Sequence, residues 1–260
     1  MLFRWLRRRR IRNTPFPPAW RRLLNDTNRF WADLSADDQA RMEDELRFFI
    51  AERHWEGCGG LELTESMRVI IAAQACRLLL GRPGERFANV TAILVYPSGY
   101  FTGPAASSIL GGGPPRIVEG GGTPVLGQAY DRGPVILSWQ HSWEGATNDA
   151  DGENLILHEF AHKLDMANGP VDGTPAMESA EQARAWRETM AAARERLAEE
   201  LRRGWSVGPR PPLRPYALTN PAEFFAVATE VFFERPDDLA EWDAELYGVM
   251  SRWYRQDPRG

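Results

Sequence analysis

The run from Asn154 to Asp165 constrains the fold of this 260-residue chain more than any other part of its sequence. Its composition predicts a helix with apolar residues on most sides, and such a helix belongs in the interior of a protein. The same run nevertheless carries His158, Glu159 and His162. Because polar groups of this kind are stable in an interior only when they have partners, the fold has to supply partners for all three.

The three polar residues form an H-E-x-x-H motif. His158 and His162 are four residues apart, so their imidazoles share one face of the helix and can bind one metal ion. Glu159 can reach a water on that metal rather than the metal itself, which is the arrangement of a zinc peptidase. A chance match on a solvated helix is the alternative, and the apolar flanks argue against it. The other two histidines, His54 and His141, could line the site, but the interpretation of both as surface or core residues is preferred.

Two histidines leave a zinc ion one protein ligand short of a catalytic site. No histidine follows His162, so the third ligand is predicted to be a carboxylate, and the downstream candidates are Glu178, Glu181, Glu223 and Glu230. Glu178 and Glu181 begin a helix, where acidic residues favour the positive end of the helix dipole. Glu223 comes three residues after Asn220, at the position of a capping-box glutamate. Spacing alone therefore leaves Glu223 open between a ligand and a helix cap.

Composition and charge exclude several classes of protein. The net charge of −5 argues against a basic nucleic-acid binder, so no direct contact with nucleic acid is expected. No run of about 18 apolar residues is present, so no membrane span is predicted. Cys58 and Cys76 are too few for a disulfide framework, and two reduced cysteines fit a cytoplasmic protein. The N-terminus lacks the apolar core of a secretory signal.

The chain divides into a short tail and one domain. Residues 1–14 predict a basic, disordered tail, with contact to an anionic membrane surface as the alternative. Residues 15–260 predict a single α+β domain, since helices precede a few strands and further helices follow them. A glycine-rich stretch, residues 111–122, predicts a mobile loop. Helices are expected over 19–33, from Ser35 onwards, and over 65–80, 154–165, 178–203, 221–234 and 237–254, and strands over 90–96, around 99–110 and over 134–139.

Six segments of the chain together resemble one known family. They are Gly60–Thr64, Ile70–Cys76, Ile93–Pro97, Gly133–Trp139, His158–Asp165 and Asn220–Ala226. From about residue 15 to residue 255 the chain is similar to the Mlc titration factor A family, which are zinc metallopeptidases related to the catalytic domain of anthrax lethal factor. The resemblance implies a single zincin-like metallopeptidase domain that is mostly helical, with a small mixed sheet beside the metal-binding helix.

The resemblance also implies roles for individual residues. In that family two histidines and the glutamate of a Pro-Ala-Glu element bind zinc, which maps onto His158, His162 and Glu223 and implies one Zn²⁺ per chain. A tyrosine seven residues before that glutamate faces the metal, and Tyr216 matches it. Glu159 would act as the general base, and Tyr216 as a hydrogen-bond donor to the developing oxyanion. Without the resemblance, Tyr216 would be interpreted as a loop tyrosine packed beside a proline.

Two functions follow from the resemblance. The first is a zinc-dependent peptidase, of aminopeptidase type, that acts on peptide substrates. The family takes its name from the sequestering of Mlc, a transcriptional repressor, so regulation of sugar uptake through binding of a similar repressor is also implied. The alternative is a non-catalytic binding factor that sequesters a repressor and uses its metal structurally.

Three further features each keep two interpretations. Asp165, three residues after His162, either orients an imidazole or bonds to backbone at the helix end. Glu230, two turns beyond Glu223, either reaches the surroundings of the metal or is a solvated or structural acid, and the second interpretation is preferred. The strand over 134–139 either pairs with an extended peptide substrate or is an ordinary internal strand.

Overall fold

A computed structural model describes residues 9, 11, 14–98, 100–102, 123–125, 127–129, 133–204 and 210–259. The helices are α1 (Pro18–Thr27), α2 (Arg29–Asp33), α3 (Ala36–Glu52), α4 (Glu65–Arg77), α5 (Trp139–Thr147), α6 (Leu155–Asp165), α7 (Ala180–Arg203), α8 (Pro221–Glu234), α9 (Pro236–Trp242) and α10 (Ala244–Tyr254). The strands are β1 (His54–Gly57), β2 (Val90–Tyr96), β3 (Tyr100–Thr102), β4 (Thr123–Val125), β5 (Gly127–Ala129) and β6 (Gly133–Ser138). A short 3₁₀ turn, Pro215–Leu218, precedes α8.

The main sheet is small and mixed. Strands β1, β2 and β6 run parallel in that order, and β5 pairs antiparallel with the free side of β6. A separate antiparallel pair is formed by β3 and β4. The predicted α+β class, mostly helical with a small mixed sheet, is confirmed. Because β6 is paired on both sides, the hypothesis that the strand over 134–139 pairs with an extended peptide is wrong.

One hydrophobic core joins the N-terminal helices, the sheet and the C-terminal helices. Phe160 of α6 packs into it, with its ring centroid 4.8 Å from that of Phe87 and 5.6 Å from that of Phe49. In the C-terminal half of the sequence, Trp186 of α7 and Trp253 of α10 pack with their ring centroids 5.8 Å apart. The apolar face of α6 is therefore buried in a core to which both halves of the sequence contribute.

Two helices that the sequence predicts as continuous are interrupted. The stretch 19–33 forms α1 and α2, with a break at Asn28, whose side-chain oxygen accepts a hydrogen bond of 2.8 Å from the buried amide of Gln74. The stretch 237–254 forms α9 and α10, and Asp243 between them adopts an extended conformation and caps α10. At the first break the polar side chain bonds to a distant residue, and at the second it caps the helix that follows.

Helix α6 is held at both ends. At its start, the side-chain oxygen of Asn154 accepts hydrogen bonds of 3.1 Å from the N–H groups of Ile156 and Leu157. Near its end, Lys163 is the only lysine of the chain and is fully buried. Its ammonium group donates a hydrogen bond of 3.1 Å to the carbonyl oxygen of Gly133. This contact ties the helix that carries the H-E-x-x-H motif to the first residue of β6.

The loop after α6 contacts the start of α8, although α7 lies between them in the sequence. Asp165 accepts a hydrogen bond of 2.9 Å from the N–H of Gly173, and the carbonyl oxygen of Gly173 accepts one of 2.8 Å from Trp186. Gly173 has φ +75°, and a Cβ atom there would lie 2.3 Å from the carbonyl oxygen of Pro221, the first residue of α8. Glycine is therefore required for this close approach.

Two sequence predictions fall mostly or wholly outside the described residues. The predicted tail is described only at Arg9, Ile11 and Thr14, and the glycine-rich stretch 111–122 lies outside altogether. The boundary between a tail and a domain therefore stays a prediction. Among the helices that the structure describes, none is both long enough and apolar enough to cross a membrane.

Replacing Gly173 with alanine should destabilise the protein. The new methyl group would overlap the Pro221 carbonyl oxygen, so we expect the free energy of unfolding to fall by about 1–3 kcal/mol in urea denaturation. Gly169→Ala is the matched control, because Gly169 lies in the same loop with φ +110° but an added methyl group there would have nothing within 4 Å. An equal loss in both variants would show that backbone conformation alone, rather than the contact with α8, decides the effect.

Candidate metal centre

Three side chains from two helices converge in the interior. His158 and His162 lie on α6 and Glu223 lies in the first turn of α8, and all three are buried. His158 Nε2 is 3.2 Å from His162 Nε2 and 3.0 Å from Glu223 Oε2, and His162 Nε2 is 3.4 Å from the same oxygen. The structure thus brings together the three residues to which the family resemblance assigns the metal.

The donor set fits a tetrahedral zinc ion. Ligand atoms about 2.0–2.1 Å from such an ion lie about 3.3 Å from one another, and the three separations here are 3.0–3.4 Å. Glu223 Oε2 is buried and accepts no hydrogen bond. Burial would raise the pKa of Glu223, but the two histidines hold it well below its usual range. The carboxylate is therefore ionised, as a metal ligand has to be.

The backbone at the start of α8 explains how Glu223 reaches the histidines. Asn220 caps the helix by accepting the Glu223 N–H at 2.9 Å, and Pro221 occupies the first helical position. In a capping box the Glu223 carboxylate would return to the Asn220 backbone, whereas here it lies beside the histidines. The two interpretations that spacing left open therefore apply to different atoms of one residue: the backbone takes part in the cap, and the side chain faces the site.

Glu159 is buried close to the three donor atoms without being one of them. Its Oε2 atom has no hydrogen-bond partner. Burial raises the pKa of Glu159 to about 7, against the opposing effect of His158 and His162. A carboxylate in this environment can accept and return a proton near neutral pH, which is what a general base requires.

Tyr216 reaches the site from the 3₁₀ turn that precedes α8. Its ring centroid is 6.1 Å from that of His158, and the residue is 49% exposed, unlike the buried residues around it. Partial burial, together with the carboxylates of Glu223 and Glu159, raises the pKa of Tyr216 to about 12. Its hydroxyl therefore keeps its proton at neutral pH and is available as a hydrogen-bond donor.

Glu230 contacts His158 on the side away from the other donors. It is 1% exposed, and its Oε1 atom is 2.7 Å from His158 Nδ1. A contact at Nδ1 orients the ring so that Nε2 faces His162 and Glu223. Burial alone would lower the pKa of His158, but the charge of Glu230, together with contact to Glu223 and the charge of Glu159, raises it to about 10. Glu230 is not solvated, so that part of the interpretation preferred from sequence is wrong. It is a buried acid that contacts His158 and also accepts a hydrogen bond from the N–H of Asn154.

Arg214 belongs to the surroundings of the site, although no sequence motif indicates it. Its guanidinium group donates hydrogen bonds to both carboxylate oxygens of Glu230, at 2.7 Å and 3.1 Å. The only signal in the sequence is its place two residues before Tyr216, and that spacing does not predict a contact with α8. The pairing depends on how the 3₁₀ turn packs against the C-terminal half of α8.

The other candidates lie away from the three donor atoms. Asp165 bonds to backbone at the end of α6, as one of its two interpretations expected. Glu178 and Glu181 are exposed near the start of α7. His54 is exposed on β1, and the Nδ1 atom of His141 lies 2.8 Å from a serine hydroxyl at the end of β6. Within the described part of the chain, His158, His162 and Glu223 form the one group of three with metal-binding geometry.

Similarity to known proteins agrees with this geometry. The model of the glucose-regulated metallo-peptidase M90 family matches residues 2–255. An uncharacterized protein of Synechocystis sp. is 33% identical over 261 residues, which cover 98% of this chain and 90% of that protein. Mlc titration factor A of Serratia proteamaculans is 35% identical over 201 residues (76% of this chain and 72% of that protein), and Mlc titration factor A of Yersinia pestis is 28% identical over 258 residues (99% and 91%).

The family match settles two points that the motif alone left as expectations. A metallopeptidase family implies a bound metal, and the His158, His162 and Glu223 donors are able to hold one. The resemblance to Mlc titration factor A is also confirmed, since relatives of that name cover most of the chain. Because the family model matches residues 2–255, the chain belongs to the glucose-regulated metallo-peptidase M90 family.

Proposed function

We propose that this chain is a zinc-dependent peptidase of aminopeptidase type, in which His158, His162 and Glu223 hold one zinc ion. The observation that supports this most is the triangle of buried donor atoms, 3.0–3.4 Å apart, beside the buried Glu159. Two imidazoles and one carboxylate are a donor set of catalytic zinc sites, which leave a fourth position for water or substrate. Membership of a metallopeptidase family supports the same conclusion.

In this proposal each residue around the metal has its own role in hydrolysis. A zinc ion held by His158, His162 and Glu223 would supply Lewis acidity, which lowers the pKa of a water molecule and polarises the scissile carbonyl. Glu159 accepts the proton of the attacking water on its unpartnered oxygen. The water oxygen bonds to the carbonyl carbon, and Glu159 passes the proton to the amine nitrogen as the carbon–nitrogen bond breaks. Tyr216 donates a hydrogen bond to the carbonyl oxygen as negative charge develops there.

The choice of a peptide with a free N-terminus rests on the family resemblance. An acetylated peptide lacks the N-terminal ammonium, so the free and acetylated forms of one peptide test this choice.

A second function is suggested by the names of two relatives. The proteins from Serratia proteamaculans and Yersinia pestis are called Mlc titration factor A, so binding of a transcriptional repressor similar to Mlc, with regulation of sugar uptake, is the corresponding proposal for this chain. Such a role belongs in the cytoplasm, and the unpaired Cys58 and Cys76 are consistent with a reducing compartment. In the non-catalytic form of this proposal the metal is structural and Glu159 has no chemical role.

Removing the Glu223 carboxylate should weaken zinc binding. In Glu223→Gln the Asn220 cap is kept, because it uses the backbone N–H, so the variant changes the donor atom alone. We expect the zinc dissociation constant, measured by competition with a chromophoric chelator, to rise by more than about 100-fold, since loss of an outer partner already costs about 10–100-fold. Glu178→Gln is the control, as Glu178 is an exposed acid. Unchanged zinc affinity in Glu223→Gln would contradict its role as a ligand.

Glu159→Gln should separate catalysis from binding. Glutamine has the same size but cannot accept the proton, so we expect kcat for a peptide substrate to fall by about 10²–10⁴-fold. Zinc affinity and any binding to purified Mlc, measured by calorimetry, should be retained. Full hydrolysis by this variant would rule out Glu159 as the base. A wild-type protein that binds Mlc and never hydrolyses a peptide would favour the non-catalytic alternative.

Two peptides that differ only in N-terminal acetylation test the aminopeptidase proposal. Loss of one charge-assisted contact costs about 1.5–3 kcal/mol, so kcat/KM for the acetylated peptide should be at least about 10-fold lower. A zinc chelator should abolish cleavage of the free peptide, and added zinc should restore it. Equal cleavage of both peptides would mean that the enzyme does not recognise the N-terminus.

A further inference from the structure

Arg214 forms a two-pronged contact with a buried carboxylate. Its two terminal nitrogens donate to Glu230 Oε1 at 2.7 Å and to Glu230 Oε2 at 3.1 Å. The Arg214 side chain is 26% exposed and that of Glu230 is 1% exposed. A paired guanidinium and carboxylate with both bonds made is among the strongest and most directional contacts in proteins. The position of one side chain therefore restrains the other.

The same carboxylate reaches the proposed metal ligands. Glu230 Oε1, which accepts from Arg214, is also 2.7 Å from His158 Nδ1. Glu230 Oε2 accepts a hydrogen bond of 2.7 Å from the N–H of Asn154, the capping residue of α6. Without the guanidinium, Glu230 would be a buried charge with fewer partners and a less fixed position. Arg214 thus orients His158 through one intermediate residue.

Arg214 also restrains the chain segment that carries Tyr216. It immediately precedes the 3₁₀ turn Pro215–Leu218, and its carbonyl oxygen accepts a hydrogen bond of 3.0 Å from the N–H of Ala217. Its guanidinium carbon lies 5.9 Å from the centre of the Tyr216 ring. Because the side chain is fixed on Glu230 while the backbone begins the turn, a shift of Arg214 displaces Tyr216.

We propose that Arg214 is a positioning residue that sets His158 and Tyr216 together, so that zinc affinity and the placement of the tyrosine hydroxyl depend on one side chain. The kinetic part of this proposal rests on the peptidase function proposed above. The part that concerns His158 does not rest on that function, because the zinc dissociation constant tests it. The effects on the histidine and on the tyrosine have a common cause in the Arg214–Glu230 contact.

Arg194 makes a sharp comparison possible. It holds the other end of the same turn, donating a hydrogen bond of 2.8 Å from α7 to the carbonyl oxygen of Leu218. Among the hydrogen bonds of the described residues, Arg194 makes none with Glu230. Loss of Arg194 therefore loosens the turn that carries Tyr216 and leaves the support of His158 in place. Arg184 is a control arginine away from the site, because its side chain is 70% exposed and lies 4.0 Å from that of Glu188.

The first measurement is the zinc dissociation constant of the purified full-length variants. We expect Arg214→Met to raise it by about 10-fold, the lower range for loss of an outer partner. Arg214→Lys keeps the charge but not the two donors of the guanidinium group, so its zinc dissociation constant should lie between those of Arg214→Met and the wild type. This variant keeps the proposal testable if Arg214→Met folds poorly. Arg194→Met and Arg184→Met should stay within about twofold of the wild type.

The second measurement is kcat and KM for a peptide, with zinc at saturating concentration. Tyr216→Phe should lower kcat by about 10²-fold, as expected for loss of an oxyanion donor. Arg214→Met alone should lower kcat by about 10-fold, with little change in KM. In the double variant, Arg214→Met should add less than about threefold to the loss caused by Tyr216→Phe. Saturating zinc compensates for the weaker support of His158, and the tyrosine hydroxyl that Arg214 positions is already absent.

The outcomes separate this proposal from the peptidase function. Zinc affinity within twofold of the wild type in both Arg214 variants would overturn the proposal, whatever the kinetics. Fully multiplicative losses of kcat in the double variant would overturn the link to Tyr216. A wild-type protein without peptidase activity would overturn the proposed function, while weakened zinc binding in Arg214→Met, but not in Arg194→Met, would still favour the positioning of His158 by Arg214.

Discussion

The structure depends on the pairing of α6 with α8, because the polar residues of these two helices meet in the interior. Helix α6 contributes two imidazoles, and α8 contributes the carboxylates of Glu223 and Glu230. Breaking one such buried pair costs about 3–5 kcal/mol, since it leaves an uncompensated charge. A slip of one helix along the other by a single turn, about 5.4 Å, would break several pairs at once. Polar contacts therefore set the register of the helices, in addition to apolar packing.

Hydrogen bonds at both ends of α6 maintain that register. At the start of α6, the N–H of Asn154 donates to Glu230 at 2.7 Å, near the end of α8. At the end of α6, Asp165 accepts from Gly173, which in turn approaches the carbonyl oxygen of Pro221 at the start of α8. The two helices are thus antiparallel and joined at each end. A site built on rigid elements in this way holds its donor atoms close to one geometry, which metal binding and catalysis both require.

Sequence alone predicts the parts of this arrangement that are local. Periodicity and capping residues are sufficient for α8, whose start at Pro221 follows directly from the Asn220 cap. The contact of Glu230 with His158 joins residues that are 72 positions apart, and only the packing of two helices creates it. The spacing of Glu230 two turns beyond Glu223 is a usable signal, since it places both on one face. Strand β1 is too short for an alternating pattern to indicate it, and α5 begins at Ser138 and Trp139, inside the segment whose pattern predicts a strand.

Charge gives a second reason for a divalent cation, beside the geometry of the donor atoms. Glu159, Glu223 and Glu230 are buried around the two imidazoles, and Arg214 pairs with only one of these carboxylates. A protein interior disfavours the remaining surplus of negative charge, and burial accordingly raises the pKa of Glu159 while Glu230 raises that of His158 against the effect of burial. A cation of charge +2 held by the proposed ligands would balance the two remaining carboxylates with no added proton. The charge of the site and the geometry of its donors therefore favour the same kind of ligand.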